Sequence, residues 1–173
     1  YISYDVKYSS TQTVDSPPSK YDLEVPEEEQ PALQLIVEKL QLKECSTQEK
    51  IDRIKSYFDQ NFKYTLHHTG QGNRETPLAH FLLDRKAGHC ELFATATVLL
   101  LRECGVPARY AVGYSAGEYS TLEQQIVVRH RHGHAWTLVF IDGSWQNLDT
   151  TSSDWLEHDD SQISPLAYIR DIF

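Results

Sequence analysis

Three side chains have the types that nucleophilic acyl chemistry uses: the thiol of Cys90, the imidazole of His134 and the carboxylate of Asp149. A cysteine attacks as its thiolate, a neighbouring base carries the proton, and a third group holds that base in its working tautomer. Cys90 sits in "RKAGHCELFATATVLLLRECG" (85–105), at the mouth of a strongly apolar run and directly after Gly88 and His89. In the first turn of a helix, its sulfur would face unpaired backbone N–H groups and the positive end of the helix dipole, both of which favour thiolate. Gly88 is expected to let the chain turn tightly and approach a substrate closely. Position alone leaves a second reading equally open, in which Cys90 is an ordinary buried small residue. Cys104, at the apolar end of the same run, fits that second reading better.

The base and its orienting group come from "HAWTLVFIDGSWQNLDT" (134–150). Asp142-Gly143 is a strong two-residue hairpin signal. With that loop Ile141 pairs with Ser144, Trp136 with Asp149 and His134 with Thr151. His134 and Asp149 then become diagonal neighbours on one face, roughly 7–8 Å apart at the backbone, within reach of a carboxylate–imidazole bond. Trp136, Leu138, Phe140 and Trp145 share that face, which is therefore expected to point at the core and the buried helix. A loop one residue longer would send Asp149 to the other side.

Other titratable residues have plainer readings. His130, His132 and His134 form an H-x-H-x-H pattern, but Gly133 and the interleaved Arg129 and Arg131 suggest a turn, and no carboxylate or CxxC completes a metal set. No metal site is expected, and His130 and His132 read as loop residues at the rim. His67 and His68 belong to a polar loop. Asp142 belongs to the turn. Asp84 is expected to pair with Arg85 or Lys86. Asp154, Glu157, Asp159 and Asp160 read as a solvated acidic tail.

The elements that must hold these groups follow from periodicity. Tyr1 to Tyr8 alternates as a strand, and "SPPS" and "VPEEE" read as connecting loops. A first helix starts near Pro31 and carries Leu33, Ile36, Val37 and Leu40 on one stripe. Ser46 and Glu49 are spaced as a capping box opening a second helix with Ile51, Ile54 and Phe58. "FKYTL" (62–66) is extended, and a short helix starts at Thr76-Pro77. The helix from Cys90 to Cys104 has almost no polar face, so it is buried on most sides; Gly105 and Pro107 end it. Strands are expected at 108–114, 125–130, 134–141 and 145–150. Helices first and strands afterwards make an α+β fold with an antiparallel sheet.

Composition narrows the class. The 173 residues are 40% hydrophobic with a formal net charge of −9 and a pI near 5.3, which suits a globular domain and argues against a nucleic-acid partner. No apolar run reaches the ~18 residues of a membrane span, so no direct membrane contact is expected from this segment. The start at Tyr1 and the lack of any methionine read as a domain cut from a longer protein. Three cysteines cannot all pair within one chain, so at least one thiol is free; a Cys45–Cys104 bridge is left open.

The quoted segments resemble the transglutaminase-like superfamily of papain-type cysteine enzymes. The shared pattern is a Gly-x-Cys opening a helix, a Gly-Val-Pro-Ala-Arg link into a Gly-Tyr strand ("GVPARYAVGY"), a His-Ala-Trp strand, and a strand ending in Leu-Asp-x-Thr. "FKYTL", "FLLDRKAGHC" and "IVVRHRHGHAW" narrow the likeness, which covers about residues 31–155, to bacterial transglutaminase-like domains of larger membrane-anchored proteins. The resemblance implies a transglutaminase-like (cysteine-proteinase-type) fold with N-terminal helices and a central buried helix packed on an antiparallel sheet. It implies a lead-in segment at 1–30, a catalytic domain at 31–173, and an extracytoplasmic placement. It also implies a Cys90, His134, Asp149 triad, needing no metal or other cofactor, that transfers the acyl group of a glutamine side chain or peptide bond through a thioester. The partners are then a protein or peptide substrate and an acceptor amine or water. Tyr64, His89 and Trp136 are further candidates for the oxyanion site or substrate cleft. His89 departs from the small or acidic residue usual there and adds a second imidazole beside the thiol. The competing expectation is a catalytically idle domain that binds peptides or couples parts of an envelope protein.

Overall fold

The computed structural model describes residues 15–67, 74, 76–121, 124–129 and 132–152. The expected N-terminal strand at 1–8, His68, His130 and the acidic tail beyond Ser153 lie outside the described residues.

Helices α1 (Gln30–Lys39) and α2 (Thr47–Asn61) form where the apolar stripes put them. Pro31 sits in the first turn of α1, and Leu33, Ile36 and Val37 are buried. The Ser46 hydroxyl accepts from the Glu49 N–H at 3.3 Å and the Glu49 carboxylate accepts from the Ser46 N–H at 2.8 Å, closing the capping box. Strand β1 (Lys63–Tyr64) follows, then α3 (Pro77–His80), which continues as one π-helical turn over Phe81–Arg85. Lys86, in the left-handed region at φ 51°, turns the chain into β2 (Ala87–Gly88). β2 pairs in parallel with β1, Tyr64 opposite Gly88. The next residue but one is Cys90, the first of α4 (Cys90–Glu103).

Helix α4 is the axis of the core. Phe93, Ala96, Leu100 and Leu101 are at most 1% exposed, and α1, α2 and the sheet all pack on it. Leu100→Ala should therefore cost roughly 2–5 kcal/mol, since the closely packed neighbours cannot collapse fully into the space. Chemical denaturation should show a lower midpoint with an unchanged slope.

The main sheet has strand order β3 (Ala108–Tyr114), β6 (Gly133–Ile141), β7 (Ser144–Leu148), antiparallel throughout. The expected strand at 125–130 is shorter: β5 (Gln125–Val127) pairs with β4 (Glu118–Ser120) in a separate hairpin. Asp142 and Gly143 both have positive φ, at 51° and 80°, which gives the two-residue turn the right-handed twist of its strands. Ile141 pairs with Ser144 and Thr137 with Leu148 in the expected register, but the ladder stops there: β7 ends at Leu148 rather than at 150, and the expected pairs Trp136–Asp149 and His134–Thr151 do not form.

The assignment of sheet faces is corrected. The residues of β6 that meet α4 are Ala135, Thr137 and Val139, each at most 1% exposed, not Trp136, Leu138 and Phe140. The reason is volume. α4 presents Phe, Leu and Val side chains, so the strand beneath it must be small or β-branched to lie close. The bulky aromatic face turns away, and the lead-in segment covers it at Trp145. Trp145 stacks under the Arg109 guanidinium at 4.0 Å and donates its indole N–H to the Ser16 carbonyl at 2.9 Å.

Arg109 also makes a two-pronged pair with Asp22, Nε to Oδ1 at 2.8 Å and Nη2 to Oδ2 at 3.1 Å. Asp22 caps a short 3-10 helix (Lys20–Leu23) by accepting from the Ser19 N–H at 2.7 Å. The Arg109 guanidinium outweighs burial and holds the Asp22 carboxyl down to about 2. A depressed carboxyl stabilises the folded state above its unfolded pKa near 3.8 and loses that stability as pH falls through about 2. Asp22→Asn should remove about 2 kcal/mol at neutral pH, and the gap to the parent should close in melts between pH 4 and 2.

Candidate active site

Cys90 stands at the first position of α4, where backbone N–H groups lack helical acceptors. Its sulfur is buried among Tyr64, Ala94 and Ala135. Burial pushes the thiol up, but hydrogen bonds with the His134 and His89 imidazoles and from the Ala135 N–H outweigh it, bringing Cys90 down to about 6. Gly88 serves packing rather than a tight turn: a Cβ there would lie 2.6 Å from Leu92 Cδ1 and 3.2 Å from the Phe81 ring.

His134 comes from the second residue of β6 and its side chain is 8% exposed. Its Nε2 lies 2.6 Å from Asp149 Oδ2, and the same ring hydrogen-bonds with the Cys90 thiol. Burial would lower the imidazole, but Asp149 and Cys90 raise it to about 9. Asp149 is the first residue after β7, where the chain leaves the sheet. Burial works against its charge, yet the His134 bond and the Thr151 N–H, at 2.9 Å, keep its pKa below the ordinary value. The His134 ring is thus shared between the Asp149 carboxylate and the Cys90 thiol.

Two further candidates flank these groups. The Trp136 indole stacks on the His134 ring, centroids 6.3 Å apart and planes 14° apart, and its N–H donates to Asn147 Oδ1 at 2.8 Å. Opposite His134, a Cβ on Gly113 would come within 2.9 Å of the Trp136 ring, so only glycine leaves that indole its place. His89 caps α4, with Nδ1 3.8 Å from Glu91 Oε2. Its hydrogen bond with Cys90 raises its pKa against the effect of burial. Tyr64, 8% exposed, brings β1 alongside the thiol.

Sequence reasoning missed the buried hydroxyls that tie the three elements together. Thr97 Oγ1, inside α4, lies 2.7 Å from Thr150 Oγ1, next to Asp149, and donates to the Phe93 carbonyl at 2.8 Å. Thr137 donates to the Ala94 carbonyl at 3.3 Å, fixing the strand that carries His134. The available signal was Thr97 inside the apolar run of α4, a polar group whose burial requires a partner.

Other expectations resolve as follows. His132 is 7% exposed rather than at the rim; its Nδ1 accepts from the Arg129 N–H at 3.2 Å, and its carbonyl accepts from the Ser115 N–H. Asp84 pairs not with Arg85 or Lys86 but with Arg74, at 2.8 and 2.9 Å, and with His80 at 3.3 Å. Cys45 and Cys104 are free thiols. Among the described residues no group of three or more His, Cys, Asp or Glu side chains could hold a metal ion, and no helix is long and apolar enough to cross a membrane.

A helix that opens on a thiol and packs against an antiparallel sheet bearing an imidazole and a carboxylate is the plan of the papain-type α+β domains. Within that class the chain belongs to the transglutaminase-like superfamily, whose model matches residues 35–150. It is 32% identical over 110 residues to the uncharacterized protein YebA of Bacillus subtilis (strain 168), covering 60% of this chain and 15% of that one. It is 26% identical over 132 residues to a protein-glutamine gamma-glutamyltransferase of Pseudomonas aeruginosa, covering 75% of this chain and 20% of the relative. Among solved structures, the ethylmercury-bound periplasmic domain of TgpA from Pseudomonas aeruginosa superposes with a TM-score of 0.66 at 26% identity, over 75% of this chain and 46% of that one. The chain therefore spans a fifth or less of these curated relatives.

Proposed function

We propose that this domain is a thiol-dependent acyltransferase acting on amides, with Cys90 as nucleophile, His134 as proton carrier and Asp149 as the group that orients His134. The observation that carries the reading is His134, held by Nε2 at 2.6 Å from Asp149 while the Cys90 thiol, lowered to about 6, meets the same ring. The thiolate adds to the amide carbonyl carbon of a glutamine side chain or peptide bond. The oxyanion so formed faces the N-terminal N–H groups of α4, the Cys90 N–H first, with β1 near Tyr64 as the second donor. His134 gives its Nδ1 proton to the leaving nitrogen, the C–N bond breaks and a thioester remains. An amine or water then attacks, passes a proton back to His134 and expels the thiolate. Trp136 lies against the His134 ring and helps exclude water. By analogy with the periplasmic domain of TgpA, we place the domain on the extracytoplasmic side of a larger bacterial protein.

The test is direct. Incubation with a glutamine-containing peptide should add an acyl mass to Cys90, released by hydroxylamine or a primary amine. A protein that never acquires that mass, even from donors that bind, is the idle domain instead.

The ionisation states give a separate expectation. A thiolate–imidazolium pair persists between about 6, where Cys90 gains its proton, and about 9, where His134 loses its own. Alkylation of Cys90 by iodoacetamide should therefore rise through pH ~6, in the range set by its depressed pKa. Cys104, which burial pushes above its ordinary value, should remain slow at neutral pH. His89→Gln removes one of the two imidazole partners and should move the Cys90 alkylation profile to higher pH. Peptide mapping of the labelled sites over a pH series reads all three.

A further inference from the structure

Strand β3 carries an apolar row that the acyl-transfer chemistry leaves unexplained. Tyr110, Val112 and Tyr114 alternate along it and are 42%, 67% and 57% exposed. They pair with Thr137, Ala135 and Gly133 of β6, so they lie on the same face of the sheet as α4. That face leads to the thiol: Ala135 packs beside Cys90 and donates its N–H to the sulfur. Burial raises the pKa of the Tyr110 phenol, and Glu91 and Cys90 are close enough to raise it further. In the separate β4–β5 hairpin the cross-strand pair Tyr119 and Ile126 is exposed as well, 60% and 58%. A row of exposed apolar side chains of this kind marks an interaction site.

Two properties of the row select its occupant. Its side chains stand two residues apart on a strand, roughly 6.5–7 Å per step. β3 is also an edge strand of its sheet, where an extended peptide can lie alongside and present alternate side chains at the same interval. The charge selects further. Glu91, with its side chain 65% exposed, stands at the Cys90 end of the row, and the chain as a whole carries −9. An acidic segment is repelled there, a neutral one is tolerated and a basic one is drawn in. We propose that β3 is the acyl-donor dock: it takes an extended, non-acidic segment of a protein substrate, with apolar residues at alternate positions, and leads its reactive amide to Cys90. This rests on the reading of Cys90 as the nucleophile.

The experiment separates docking from chemistry. Two fluorescein-labelled glutamine peptides of equal length are compared, one with Val and Tyr at alternate positions and a Lys, the other with Ser and Glu in their place. Binding is measured by anisotropy to the Cys90→Ala protein, which cannot turn them over; acyl-mass formation is measured separately on the unsubstituted protein. The apolar, basic peptide should bind at least ten-fold more tightly. Val112→Asp combined with Tyr114→Ser should erase that preference; both sites are exposed, and the melting temperature checks that the fold survives. Leu35→Asp, at an exposed apolar residue of α1 (55%), should keep it. Equal binding of the two peptides, no binding of either, or a preference that survives the double substitution would overturn the dock. A preference that disappears on substitution, in a protein that never forms the acyl adduct, upholds the dock and removes the acyl-transfer reading alone.

Discussion

Cys90→Ala should leave no measurable acyl transfer and a protein that melts within a few degrees of its parent. The substitution removes one sulfur at the mouth of the site, where Cys90 is 9% exposed, while the core around Phe93, Ala96 and Leu100 is untouched. Alanine is also a good helix former at the start of α4. The chemical loss should be complete because no other described thiol can substitute. Cys104 lies at the opposite end of the same helix, and Cys45 donates to the Gln41 carbonyl at 3.2 Å in the link between α1 and α2. Thioester mass spectrometry and an amine-incorporation assay, run beside a thermal melt, separate the two effects. Residual turnover at the parental rate would assign the activity elsewhere.

Asp149→Asn should lower kcat by about 10³–10⁴-fold with a much smaller effect on KM, in line with the carboxylate substitution in the Ser-His-Asp template, whose magnitude it borrows. The carboxylate accepts the His134 Nε2–H at 2.6 Å. An amide of the same size can turn its NH2 group to that nitrogen, and the ring then carries its proton on Nδ1, facing the sulfur in the wrong state for a base. The same change removes the charge that, with Cys90, raises His134 to about 9. The upper limb of the pH profile should therefore move down toward the ordinary imidazole range. Asn at 149 still accepts the Thr151 N–H through its carbonyl oxygen, as Asp149 does at 2.9 Å, so the loop after β7 should hold. A kcat loss without the shift in pH profile would mean that the substitution acts by displacing the loop rather than by mis-setting the tautomer.

Much of this arrangement was legible in the chain because it depends on short-range rules. The capping box at Ser46 and Glu49, the positive-φ pair Asp142-Gly143 and the register from Ile141–Ser144 to Thr137–Leu148 are set by residues a few positions apart. That register brings the start of β6, with His134, beside the end of β7, where Asp149 follows. The face of the sheet that meets α4 was misread for a different reason. Period-two patterning separates the faces of a strand, but when both are covered, both are apolar, and hydrophobicity no longer says which lies under the helix. The answer depends on side-chain volume across a contact far apart in sequence, Ala135 and Thr137 against α4. Asp84 and His132 were misassigned because their partners, Arg74 and the Arg129 N–H, come from loop geometry that periodicity does not encode.

Sequence by itself determined the α+β class, the helix that starts at Cys90, the hairpin that pairs the neighbourhood of His134 with that of Asp149, and the family. Each rests on local conformational preference or on a pattern within one or two elements. The tertiary structure alone decided that the Cys90 thiol meets the His134 ring across the junction of helix and sheet. It also decided that Thr97 and Thr150, 2.7 Å apart, fasten the Asp149 loop to the helix of Cys90, and that Tyr110, Val112 and Tyr114 stay exposed on the sheet face that meets α4. These are distances between groups 20 to 60 residues apart, fixed by how the volumes of α4 and the sheet fill the core together, and no local rule contains them.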